Sequence, residues 1–367
     1  MSAVVERFVS LVKVNGESLK ERTVATAVRG TLEPHGITVL EDSAAEVLKG
    51  NCGNLLCFPP HFSKEKPAIL FGAHLDTVQP TTGINVSVDN GTIRTDGSTI
   101  LGADNRAGLS IMTELLLTAA KDPGSWNNFF ISLTVGEELG MLGAKALDLS
   151  PYNISGVYVF DSAKRPGVYI QECAGASMLT IEFKGKAAHS AVAPEEGRNA
   201  ILAACRALAP LKGGRIDEES TFNIGTIKGG EATNIVPDRV IVEGEVRSFS
   251  RRRVEDEVAK LRSYLEQFKG DGITITLSDF FDFEPYEHAP DAEICVRLEE
   301  AMKKAGLTPQ PVHYHGGSDA NAYNVKGVPA VNIGIGAQKP HSKEEFILVE
   351  DLEISFRLAL ELARIHH

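Results

Sequence analysis

Carboxylates and imidazoles recur in this chain where apolar runs end. His74 and Asp76 close A-I-L-F-G-A at 68–73, Glu137 and Glu138 follow F-F-I-S-L-T-V-G at 129–136, and Asp161 ends the apolar run at 156–160. Asp104 stands just after Gly102 in L-G-A-D-N, and His341 adds a second imidazole in the late loop P-H-S. All seven residues offer oxygen or nitrogen and none is a thiolate, a donor set that suits Zn²⁺, Mn²⁺ or Co²⁺. If gathered, so many acids cannot all stay ionised without a cation. Two ions sharing one bridging carboxylate would use this number of ligands. Taken singly, each residue has an ordinary structural reading. Glu137 and Glu138 suit the first turn of a helix, His74 a hydrogen-bonded core histidine, Asp104 an N-cap and Asp161 a turn. Three apolar strands ending in such groups favour a site, because open α/β sheets build sites at the carboxyl ends of their strands.

The elements that must position these residues are legible in outline. Val4, Val5, Phe8, Val9 and Val12 recur at helical spacing, and Ser18 with Glu21 reads as a capping box opening a helix that stops near Gly36. Strands are expected at 37–40 and 68–73, the second so uniformly apolar that both its faces are buried. Residues 83–102 read as a hairpin or loop, followed by a helix to about Ala120 that carries Asp104 in its first turn. From 176 the rhythm changes to strand 178–183, helix 199–211, strands 221–227 and 239–246, helix 254–268 and strand 273–280. That order, β-α-β-β-α-β, is a ferredoxin-like unit, and Val254, Val258, Leu261 and Leu265 form the stripe that packs its second helix on a sheet. A helix at 292–305, a strand at 310–314, the loop 315–319, a strand at 330–335 and a helix at 349–365 then resume the first pattern. His366 and His367 read as tail residues. The expected fold is α/β, a large discontinuous catalytic domain (1–175 and 286–367) with a mixed, mostly parallel sheet. An inserted ferredoxin-like α+β lid or dimerisation domain spans 176–285.

Composition narrows the function. The 367 residues carry a formal charge of −12, which repels nucleic acid, and the one basic run, Arg251-Arg252-Arg253, reads as a solvated face. No stretch approaches a membrane span. The N-terminus has charges inside its apolar run, unlike a secretory signal. Five cysteines without C-x-x-C spacing suit reduced thiols in a cytoplasm better than a disulfide frame.

Several motifs in order resemble the M20 co-catalytic metallopeptidases, and within them the peptidase T-like branch. They are A-H-L-D-T-V at 73–78, G-A-D-N-R-A-G at 102–108, G-E-E-L-G with G-A-K at 136–145, F-D at 160–161, H-S at 189–190, G-E-A-T-N-I-V-P at 230–237 and P-H-S at 340–342. The resemblance implies two divalent ions, Zn²⁺ before Mn²⁺ or Co²⁺. His74 and Asp161 would hold one, Glu138 and His341 the other, with Asp104 bridging. Asp76 would orient the His74 imidazole, Glu137 would be the general base, and His189 of the inserted domain would steady the oxyanion of its own or a partner subunit's site. Asn234, Arg247, Gly316, Gly317 and Ser318 match substrate-touching positions, although Arg247 suits a salt-bridged strand residue equally well. Asn105-Arg106 depart from the Asp and Lys usual in relatives, and His313-Tyr314-His315 adds two histidines. Both departures are placed here near the substrate's ends.

The expected function is hydrolysis of short peptides from one end, as a peptidase T-like aminopeptidase or tripeptidase, with Glu137 activating a water between the ions. The expected assembly is a homodimer through the inserted domain, pairing sheet edges. An M20 amidohydrolase of N-acyl amino acids, or a carboxypeptidase-like enzyme, is the alternative. A non-catalytic binding relative would lack the base or a ligand, and neither is lost here.

Overall fold

A computed structural model describes residues 1–364. The final helix is observed as Val349–Ala363; its expected end at Ile365, and the tail residues His366 and His367, lie outside the described residues. The chain divides into two compact units. One comprises Met1–Gln171, Glu287–His313 and the chain from Gly317, and the other Glu172–Tyr286 with Tyr314–Gly316.

The first unit is built on a mixed sheet with a parallel centre. Strands Phe129–Thr134, Ala68–His74, Ile154–Ser162 and Ala330–Gly334 lie side by side in that order, all parallel. Leu55–Phe58 and Thr38–Glu41 extend one edge antiparallel. Every residue of Ala68–His74 and Phe129–Thr134 is buried, which is why 68–73 reads as an unbroken apolar run and 129–134 as a mostly apolar one. After Ala68–His74 the next parallel strand pairs on one side and the following one on the other. The carboxyl end of Ala68–His74 is therefore a topological switch point, where such sheets open a crevice.

Helix Ala103–Lys121 buries Leu109, Met112, Leu115 and Leu116 in the core of this unit. The glycine-rich stretch is a hairpin, Val86–Asp89 with Thr92–Thr95, joined by Phe346–Leu348 as a third strand. The capping box is not formed. Helix Arg22–Leu32 begins without a side-chain cap. Ser18 Oγ instead donates to Asp76 Oδ2 at 2.7 Å, and buried Glu21 accepts from the Leu19 and Gly136 backbone nitrogens at 2.7 and 2.9 Å. A buried carboxylate needs donors, and these two backbone groups supply them to Glu21 Oε1.

The second unit is a five-stranded antiparallel sheet in the order Gly214–Arg215, Ser220–Gly229, Arg239–Ser248, Gly175–Lys184, Thr274–Phe283, with helices Ala200–Leu208 and Arg251–Glu266. Leu179, Ile181, Phe183, Val240 and Val242 meet Ala200, Ala204, Val254, Val258, Leu261 and Leu265 in one core. Both helices are capped by side chains. Asn199 accepts from Leu202 N at 3.0 Å and Ser250 from Arg253 N at 3.4 Å.

Candidate active site

The first unit brings all seven sequence-selected acids and imidazoles to the switch point. His74 ends its strand with the ring buried. Its Nε2 lies 3.1 Å from Asp104 Oδ1, 3.2 Å from Asp161 Oδ1 and 3.9 Å from Glu137 Oε2. On the far side, His341 Nε2 lies 3.4 Å from Asp104 Oδ2 and 3.1 Å from Glu138 Oε2. The two imidazoles thus address opposite oxygens of one carboxylate.

Local conformation explains each placement. Asp104 and Asn105 have non-helical torsions at the head of their helix, and Asp104 makes no N-cap bond; its side chain turns to the histidines. Asp161 lies near the end of Ile154–Ser162 rather than in a turn. Glu137–Leu139 is one 3₁₀ turn between Gly136 (φ 60°) and Gly140 (φ 100°), a left-handed geometry that glycine adopts without a Cβ clash. This turn starts no long helix, and Asp76 fixes it. Asp76 Oδ1 accepts from Glu137 N and Oδ2 from Glu138 N, both at 3.1 Å, while His74 Nδ1 lies 3.2 Å from Oδ1 and 3.0 Å from the Asp76 carbonyl. Asp76 therefore does more than orient the imidazole, because it also anchors the backbone of both glutamates.

The electrostatics are those of crowded acids. Burial pushes the Glu137, Glu138 and Asp161 carboxyls above their usual range, and neighbouring carboxylates add to the shift. Burial would raise Asp104 too, but bonds from His341 and His74 outweigh it and hold that carboxyl low. Burial alone would lower His74, yet Asp161, Asp104 and Asp76 raise it well above the ordinary histidine range. Hydrogen bonds to Asp104 and Glu138 push His341 up to about 10.

The residues fit a pair of divalent cations. Donor atoms of His74, Asp104 and Asp161, of His74, Glu137 and Glu138, and of Asp104, Glu138 and His341 lie within 4.8 Å of one another in each group. Glu138 Oε1 is buried with no hydrogen-bond partner among the described residues. A cation would satisfy that oxygen and relieve the repulsion that raises three carboxyls.

Two sequence expectations are corrected. Arg106 does not lie where a substrate could end. It is 1% exposed and donates to Leu75 O at 2.5 Å and Val14 O at 3.1 Å, and Asp76 and Glu21 offset the burial that lowers its pKa. Asn105 is likewise buried, giving Nδ2 to Asp161 Oδ1 at 2.8 Å and accepting from Gly108 N at 2.9 Å. Arg106 thus holds the carbonyl next to His74, and Asn105 holds the Asp161 carboxylate.

In the second unit, His189 and Asn234 lie on neighbouring segments. His189 bridges to Ile235, and Ser190 N donates to Asn234 O at 3.0 Å. His189 Nδ1 accepts from Ala191 and Val192 N, both at 3.2 Å, so a neutral ring carries its proton on Nε2 as a donor. Arg247 has its fork engaged, to Glu245 at 3.1 and 2.9 Å and to His315 O at 2.9 Å. His315 packs on Phe249. Gly316 is in close quarters, since a Cβ there would lie 2.6 Å from the Tyr314 ring. In the first unit, Gly317 precedes Ser318, whose backbone N–H donates to Asn321 Oδ1 at 3.0 Å.

Sequence reasoning gave no place at the site to three buried acids. Glu21 holds the Gly136 turn. Asp319 accepts from Thr134 Oγ1 at 2.5 Å, below the glutamates. Glu345 accepts from Gly102 N at 2.6 Å and Asp104 N at 3.1 Å. Their partners are hydroxyl and backbone groups, which residue spacing does not record; Glu21 entered the sequence reading only as half of a capping box and Asp319 only as the last residue of the loop 315–319.

Comparison with known proteins defines the class first. A profile described as "Peptidase dimerisation domain" of the M20 type matches residues 173–272, and profiles for "Peptidase family M28" and "M42 glutamyl aminopeptidase" match 59–201 and 254–358. The uncharacterized protein YqjE of Bacillus subtilis is 33% identical over 350 residues, covering 95% of this chain and 94% of its own length. Among solved structures, aminopeptidase PepT of Bacillus cereus is 34% identical with a TM-score of 0.86, covering 98% of this chain and 97% of that one. A tripeptidase of Staphylococcus aureus is 30% identical with a TM-score of 0.90, at 98% and 96% coverage. The protein is a peptide-bond hydrolase of α/β fold. It belongs to the M20 peptidase family, in its peptidase T-like branch.

Proposed function

We propose that this chain is a two-metal exopeptidase acting on short peptides, an aminopeptidase or tripeptidase. The observation that carries the reading is Asp104, whose Oδ1 faces His74 and whose Oδ2 faces His341. His74 and Asp161 would hold one ion, Glu138 and His341 the other, and Asp104 would bridge, with zinc favoured by the mixed nitrogen and oxygen donors. When bound, such ions supply Lewis acidity and acidify a water towards neutrality.

The chain's own residues supply the rest. Glu137, held by its turn beside His74, takes a proton from the attacking water and passes it to the leaving amine. Asp76 holds the backbone of Glu137 and Glu138 during that exchange. His189, of this chain or of a partner subunit, offers its Nε2–H to the developing oxyanion, and Asn234, Arg247 and the Gly316-Gly317-Ser318 segment contact the peptide. The dimerisation-type profile over 173–272 supports a homodimer through the second unit.

The relatives named aminopeptidase and tripeptidase favour a free amino terminus. Comparing a free-amine tripeptide with its N-acetylated form tests this. Preference for the free amine is expected, and preference for the acetylated form would favour the amidohydrolase alternative.

A further inference from the structure

We propose that Glu345 is a positioning residue that ties the His341 loop to the backbone of Asp104 and so sets the half of the centre built by Glu138 and His341. The inference rests on the two-metal reading. Glu345 is 1% exposed, and its two oxygens accept from Gly102 N at 2.6 Å and Asp104 N at 3.1 Å. One carboxylate thereby holds the backbone on both sides of Ala103, where the chain enters its helix with irregular torsions.

Four residues earlier stands His341, with φ 61° and a side chain 52% exposed. The loop between them is pinched shut. Gln338 and Phe346 exchange backbone hydrogen bonds at 2.8 and 3.1 Å, and Glu345 N donates to Ser342 O at 3.1 Å. His74 and Asp161 need no such device, since each sits on a strand at the centre of the sheet. His341 has only its loop, so its distance from Asp104 is set by whatever fastens the loop to the Asp104 backbone. Glu345 makes that connection. A Gln at 345 would turn an amide N–H₂ towards one of the two backbone donors, losing one bond and loosening the loop.

The test is Co²⁺ titration of the full-length, chelator-stripped protein, followed by calorimetry and visible absorption. Wild type should bind two ions, whereas Glu345→Gln and Glu345→Ala should weaken one of them by about 10–100-fold and move the other by less than about threefold. Glu344→Gln, at an exposed neighbour paired with Lys339, should leave both unchanged. Unchanged affinities in the Glu345 variants would overturn the inference. So would an equal weakening of both ions together with a lower melting temperature of the stripped protein, the signature of a merely structural carboxylate. Failure of wild type itself to bind Co²⁺ would instead overturn the two-metal reading, and this inference with it. Should the variants not fold, amide exchange on stripped wild type decides: Gly102 and Asp104 N–H should be protected, and free exchange at both would overturn the role.

Discussion

The Asp76 carboxylate accepts the backbone N–H of Glu137 at 3.1 Å. The same group takes Glu138 N, Ser18 Oγ and His74 Nδ1, so one buried acid fixes the proposed ligands His74 and Glu138, the proposed base Glu137 and the turn that carries both glutamates. Asp76→Asn presents an amide N–H₂ to donors, and at least one contact must be lost. A fall of about 10–100-fold in metal affinity or activity is expected, read by kcat/KM and zinc content. Wild-type values in both would contradict the anchoring role.

Glu137→Gln separates proton transfer from metal binding. The neutral amide keeps the shape of the side chain but cannot take a proton, so kcat should fall by about 10²–10⁴-fold with zinc content unchanged. Turnover close to wild type would remove Glu137 as the base.

Arg106 distinguishes support from recognition. Its guanidinium satisfies the Leu75 and Val14 carbonyls inside the core, and Lys cannot reach both with the same fork. Arg106→Lys should cost about 1–3 kcal/mol of stability, the range for a buried group left unpaired, measured by denaturant unfolding. A raised KM with unchanged stability would return Arg106 to the substrate.

Asp319 gives a pH signature in the metal-free protein. Burial raises its carboxyl to about 7, above the ordinary value near 3.8 that the unfolded chain regains. Between those values the folded state binds the extra proton, so this group's contribution to stability falls as pH rises from about 4 to about 7. Compared with Asp319→Asn, stripped wild type should lose up to about 1.4 kcal/mol per pH unit across that window. Parallel unfolding curves for the two proteins against pH would refute the shift.

The parallel centre of the sheet and the metal-type donors were readable because each is written locally. An unbroken apolar run such as 68–73 must be buried on both faces, and a His or Asp at its end must emerge where the sheet opens. The ferredoxin-like order of the second unit was readable for the same reason, from alternating strand and helix periods. Short elements were not. Leu55–Phe58 and Val168–Cys173 span four and six residues, too few to show a decisive period. Ser18 and Glu21 carried a helix-cap spacing, yet their partners are Asp76 and Gly136, far along the chain. Glu345 and Asp319 bind backbone and hydroxyl groups, and sequence spacing does not record contacts of that kind. Arg106 was misplaced because a cation beside a ligand reads as exposed until the carbonyls around it are seen.

Counting bound metal tests the sharing of Asp104 between two ions most directly. Protein stripped with a chelator and reloaded with zinc should hold two ions per chain by elemental analysis. His341→Ala should hold about one, and hydrolysis should vanish on stripping and return on reloading. A wild-type chain that holds no zinc, or hydrolyses peptides at full rate once stripped, would contradict the account.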